Sequence, residues 1–212
     1  MNALNPERWS RLWKSATGKV APDRLYPRLL EMYAEPGRHY HNARHIAECL
    51  NEFDQVKQLA AEPVAVEFAI WFHDAVYDSH APDNEERSAD LALSWLQQAG
   101  VHAALAESVQ RLVLATKAHN GTLHPDAPLL VDVDLCIFGQ PPERFWEYER
   151  AIRAEYAWVE QKTYSAKRAE ILERFLARPK LYHTDCFQGR FEARARANLH
   201  ASIQQLRNGI TV

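Results

Sequence analysis

The sequence predicts an all-α fold, a bundle of about eight to ten helices built on 3.6-residue periodicity. Two observations carry this. Only seven glycines occur in 212 residues, and the short alternating runs with glycine turns that strands and hairpins require are missing. Apolar residues recur instead at helical spacing between stretches that proline and glycine interrupt.

Taken in order, the spacing predicts helices over 5–16, 22–34, 41–59, 63–78, 83–99, 102–119, 128–138, 142–177 and 186–208. The first is amphipathic in MNALNPERWSRLWKS and lacks the apolar core of a signal peptide, so it reads as a helix of the mature protein. Breaks follow at Pro22, Glu35-Pro36-Gly37, Pro63, Pro82, Gly100, Asn120-Gly121, Gly139-Gln140-Pro141-Pro142 and Pro179. The segment 142–177 is long enough to be two helices, with a kink near Thr163-Tyr164-Ser165.

A chain of 212 residues suits one sizeable core, so a single domain over 1–212 is expected. The composition, 47% hydrophobic and 25% charged, is that of an ordinary globular protein. A net charge of -3 without a basic stripe argues against polymeric nucleic acid as a partner. No apolar run approaches a membrane span. Cys49, Cys136 and Cys186 are odd in number and far apart, which suits neither a disulfide framework nor a paired-cysteine zinc site and points to a reducing cytoplasm. Oligomeric state, including a homo-oligomer, is left open.

Polar residues at inward positions are the informative anomaly. On 63–78, Val66, Ile70, His73, Asp74 and Tyr77 form one stripe, so a histidine and an aspartate take core positions. A buried aspartate requires a partner or a cation. On 41–59, His45 begins the stripe His45, Ile46, Cys49, Leu50, Phe53, Val56, with His41 one turn earlier. Asp134 falls between Leu130 and Ile137-Phe138, and His119 follows Leu105, Val109, Leu112 and Thr116. One buried divalent ion explains these together; imidazoles and carboxylates accept Mn, Fe, Co, Ni or Zn, with Mg also open, and leave positions for water and a substrate oxygen.

The ordered set of His45, then His73-Asp74 in WFHDAVYD, then Val131-Asp132-Val133-Asp134-Leu135 resembles the HD-domain superfamily of metal-dependent phosphohydrolases. The likeness spans roughly 38–139, the expected metal-binding core, on which helices 142–208 are expected to pack. GRHYHNARHIAECL, DNEERSADLA and LYHTDCFQGRFEARARANL extend it to a bacterial group of HD proteins held to be phosphohydrolases. The resemblance implies an HD-like helical bundle and one divalent metal held by His45, His73, Asp74 and Asp134, with Asp132 supporting without ligating. It implies hydrolysis of a phosphomonoester or phosphodiester of a small molecule, a nucleotide before other classes, by a metal-activated water.

Around those ligands, Glu85 and Glu86 are either proton-transfer groups, as Asp74 itself can be, or first-turn helix acids behind the cap Asp83. His119 is an acid/base group, a substrate contact or a helix-end histidine. His41, Arg44 and Lys117 are candidate phosphate contacts, Arg44 and Lys117 being equally readable as solvent-facing. Arg190, Arg194 and Arg196 read as a solvated basic face, and Tyr182 has no assigned role. Two other functions share the ligands: a di-iron oxygenase, which needs a second ion, and a non-catalytic sensor or interaction protein that binds metal or nucleotide.

Overall fold

The computed structural model describes residues 3–119 and 122–209. The Asn120-Gly121 break expected from sequence lies outside the described residues. Among those described there are ten α-helices and no strand, and none of the helices is long and apolar enough to cross a membrane. The chain forms two compact units, one ending at Val133 and the other beginning at Asp134, so the division falls inside the seventh helix.

In the first unit, α1 (Pro6–Thr17) starts where the Asn5 side chain accepts from the Arg8 N–H at 2.8 Å and stops at Gly18, whose φ of 70° is left-handed. It buries Trp9, Leu12 and Trp13. Trp9 meets Phe68 and Trp71 edge-on, which joins α1 to α4 (Pro63–Phe72). After α2 (Leu25–Tyr33), α3 (Ala43–Val56) buries His45, Ile46, Cys49, Leu50, Phe53 and Val56, the stripe expected from its spacing. The short helix α4 is the central element: it is apolar on nearly all sides, and α1, α3, α5 (Asn84–Gln98) and α6 (Ala103–Ala118) all pack on it.

The expected helix over 63–78 is shorter than its periodicity suggests. It ends at Phe72, and His73 and Asp74 lie in the turn that follows, so the inward stripe does not continue through Asp74 and Tyr77 as helix. Neither glycine nor proline marks this stop. Side chains from elsewhere take the carbonyls that a continuing helix would use. The Tyr33 hydroxyl donates to Trp71 O at 2.9 Å, and Arg38 donates to Asp74 O at 2.6 Å and Ala75 O at 2.8 Å. Ser88 Oγ bonds both Val76 N and Val76 O, and Asn84 bonds the backbone of Asp78.

The seventh helix, α7 (Ala127–Leu135), tightens into a 3-10 turn over Cys136–Gly139. The second unit then continues through α8 (Pro142–Glu155), α9 (Gln161–Leu176) and α10 (Asp185–Arg207). A Cβ on Gly139 would sit 2.5 Å from Phe191 Cβ, so glycine permits α10 to approach the 3-10 turn. The expected 142–177 segment does divide, but at 156–160 rather than near Thr163. Glu160 caps α9 by accepting from the N–H groups of Lys162 and Thr163, which makes Thr163 an early residue of the second helix. Arg196 is not part of a solvated basic face. It donates to the carbonyls of Leu176, Arg178 and Pro179 and closes the C-terminus of α9, while Arg194 donates to Gly139 O.

Candidate metal centre

Asn42 begins α3, its side-chain oxygen accepting from the Arg44 N–H at 2.9 Å, and this puts His45 in the first turn with its side chain 2% exposed. The turn after α4 supplies His73, equally buried, and Asp74, whose side chain is 17% exposed. His45 Nε2 and His73 Nε2 are 3.1 Å apart. Asp74 Oδ2 lies 3.2 Å from His73 Nε2 and 3.4 Å from His45 Nε2. Metal–ligand bonds of about 2.1 Å place ligand atoms about 3.0 Å apart at right angles and about 3.4 Å apart in a tetrahedron. The three edges span that interval, and the three atoms form a group able to hold a metal ion.

Protonation favours the same reading. The Ile70 carbonyl, 3.0 Å from His73 Nδ1, can only accept, so that nitrogen carries a proton and Nε2 is the ring atom that faces the triangle. Burial would raise the Asp74 pKa, but His73 first, then His41 and His45, hold its carboxyl well below the usual carboxylate range. Asp74 is therefore an anion beside two imidazoles, the donor set a borderline divalent ion prefers.

The surroundings of the triangle contain Arg38 and Ser88, which periodicity did not single out, and Cys49 of the His45 stripe. Arg38 fastens the turn carrying Asp74, and Cys49 Sγ lies 3.7 Å from His45 Nδ1 and 4.0 Å from Val133 O. Ser88, fully buried on α5, pins Val76. A serine at an inward position was a signal available in the sequence; Arg38, in a loop without periodicity, offered none. His41 precedes α3 rather than lying on it, stacks on Tyr77 at 4.3 Å and 24°, and is near enough to affect the Asp74 carboxylate.

The remaining expected residues fall as follows. Glu86 pairs with Lys117 across α5 and α6, and Lys117 also donates to Pro82 O at 3.0 Å. That hydrogen bond holds the Glu86 carboxyl below its usual range and raises the Lys117 ammonium. Glu85 is half-buried in the first turn of α5. Arg44 is exposed and ion-paired with Glu48 at 3.0 Å. His119 ends α6 in a left-handed conformation with φ 48°, half-buried. Asp132 is fully buried. Asp134 is half-buried, is the first residue of the second unit, and bears electrostatically on Tyr148 there. No family model matches the chain, and comparisons with curated proteins and with solved structures return no match.

Proposed function

We propose that the chain is a metal-dependent phosphohydrolase acting on a small-molecule phosphoester, with nucleotides the first class to test. The observation that carries this reading is the triangle of His45 Nε2, His73 Nε2 and Asp74 Oδ2, with edges of 3.1 to 3.4 Å. The order of these residues along the chain adds the resemblance to the HD-domain superfamily, which also supplies Asp134 as a fourth ligand. A bound divalent ion lowers the pKa of water and polarises a phosphoryl oxygen.

The protein's own groups do the rest. Ile70 O orients His73, and the Asp74 carboxylate supplies the negative charge that retains a cation. Lys117 makes Glu86 a weak proton acceptor, which leaves Glu85 and His119 as the better candidates for proton transfer. Of the cations assigned to phosphate, Arg44 is committed to Glu48 and Lys117 to Glu86, so His41, beside Asp74, is the first to test as a substrate contact.

The test is a phosphate-release screen of nucleotides and sugar phosphates with Mn, Fe, Co, Ni, Zn or Mg, using Asp74→Ala as the blank. Metal-dependent turnover that D74A and D134A abolish is expected. Equal turnover in those variants overturns the hydrolase reading, and nucleotide binding without turnover across the panel replaces it with a sensor. More than one ion per chain returns the oxygenase reading to consideration.

A further inference from the structure

We infer that Arg38 is a positioning residue of the metal centre, a guanidinium fork that fixes the His73-Asp74 turn against the entry to α3 and so sets metal affinity without touching the metal. The inference rests on the metal-site reading above and adds a residue which that reading does not contain.

Arg38 has a side chain 2% exposed, and each of its five N–H bonds has an acceptor. Nη1 donates to Asp74 O at 2.6 Å and His41 O at 3.2 Å, and Nη2 to Ala75 O at 2.8 Å and Glu35 Oε2 at 3.0 Å. Nε donates to the same carboxylate oxygen at 3.2 Å. The guanidinium lies 5.4 Å from the Tyr33 ring and 5.6 Å from that of Tyr77, the ring on which His41 stacks.

Three consequences follow. With every donor engaged, Arg38 has none left for a substrate phosphate. Its charge is balanced by Glu35, so a cation can occupy the triangle without an uncompensated guanidinium nearby. The segments it joins carry the ligands: Asn42, which starts the helix of His45, donates to His39 O and Arg38 O, while Asp74 and Ala75 form the turn. Planar geometry matters here, because a lysine ammonium cannot reach carbonyls on two sides as a fork does.

The experiment titrates cobalt(II) into the full chain, comparing wild type with Arg38→Lys, Arg38→Gln and, as control, Arg8→Lys. Arg8 is a similarly buried arginine whose fork serves Asp54 and Glu67. The readouts are the dissociation constant, the visible cobalt spectrum and the melting temperature. A positioning role predicts affinity roughly 10- to 100-fold weaker in R38K and R38Q with an altered spectrum. R8K should lower the melting temperature and leave affinity and spectrum alone. If R38Q does not fold, R38K, which keeps the charge, decides. A folded R38K with wild-type affinity and spectrum overturns the inference while leaving the metal site standing. Wild type that binds no divalent ion overturns the metal site and the inference together.

Discussion

Both units bury charged side chains, and they do so in opposite ways. In the second unit Arg168 donates to Glu149 Oε1 at 2.5 Å and to the Tyr148 hydroxyl at 2.6 Å, and Ser202 donates to Glu149 Oε2 at 3.0 Å. The guanidinium, the carboxylate and the hydroxyls satisfy one another, which is the condition for burying a charge at tolerable cost. In the first unit, two imidazoles and a carboxylate bring three ligand atoms within 3.1 to 3.4 Å of one another, a group that could hold a metal ion. The closed network is complete as it stands and belongs to stability. The converging set is the one the proposed function uses, because its ligand atoms are spaced for a cation.

The sharpest way to break this contrast is to remove one member from each set. Asp74→Asn should lower turnover by about 10⁴-fold, about 5 kcal/mol of transition-state stabilisation, if the metal supplies the chemistry. Its metal-free stability in urea titration at neutral pH should fall only modestly, since what is lost is the attraction of His73, His41 and His45 for a carboxylate that is 17% exposed. A D74N protein that is markedly less stable without metal would place Asp74 among the structural ion pairs and remove the contrast.

Glu149→Ala should do the reverse, costing about 3 to 5 kcal/mol in urea titration because Arg168 is left charged and buried. The Arg168 guanidinium, opposed by burial but held by Glu149, is pushed well above its ordinary value and does not escape by losing its proton. The double variant Glu149→Leu with Arg168→Met should recover most of the loss. If E149A proves mild, the network is more hydrated than its burial implies.

What was legible in the sequence follows the same division. Periodicity exposed the helices, the His45 stripe and the anomaly of buried polar residues, because a helix writes its inward face at fixed spacing. It extended α4 past Phe72 because the stop is made by Tyr33, Arg38 and Ser88, whose bonds to that backbone connect residues distant in sequence. It placed the 142–177 break too late because a glutamate, Glu160, does the capping that serine, threonine or aspartate usually signals. Arg196 was read as surface for a related reason. Its role depends on where α9 ends in space, and spacing within α10 does not contain that.

Alkaline pH tests the closed network alone. Burial, with Glu149 adding to it and Arg168 opposing, pushes the Tyr148 phenol up to about 12 from 10.0. The folded state therefore resists its ionisation. The corresponding stability is intact below about pH 10 and falls as pH rises through about 12, by about 2 to 3 kcal/mol. Tyr164 is pushed up by burial as well, so Tyr148→Phe should remove part of the alkaline loss rather than all of it. Ultraviolet titration of the phenols alongside urea unfolding at each pH measures this. Ionisation of Tyr148 near pH 10 in the folded protein would mean that its surroundings are wet.

The smallest expected effect separates the holders of the metal-site turn. Ser88 Oγ accepts from Val76 N at 3.0 Å and donates to Val76 O at 3.2 Å, and the residue is fully buried. Ser88→Ala removes both bonds and leaves two backbone groups without them, a loss of about 1 to 2 kcal/mol in urea titration. Val76 lies two residues beyond Asp74, whereas Arg38 grips the Asp74 carbonyl itself. Metal affinity in S88A should therefore fall only a few-fold, less than in the Arg38 variants. An affinity loss equal to theirs would mean that the turn is held as one unit from Asp74 to Val76, and that Arg38 has no privileged grip on the ligand.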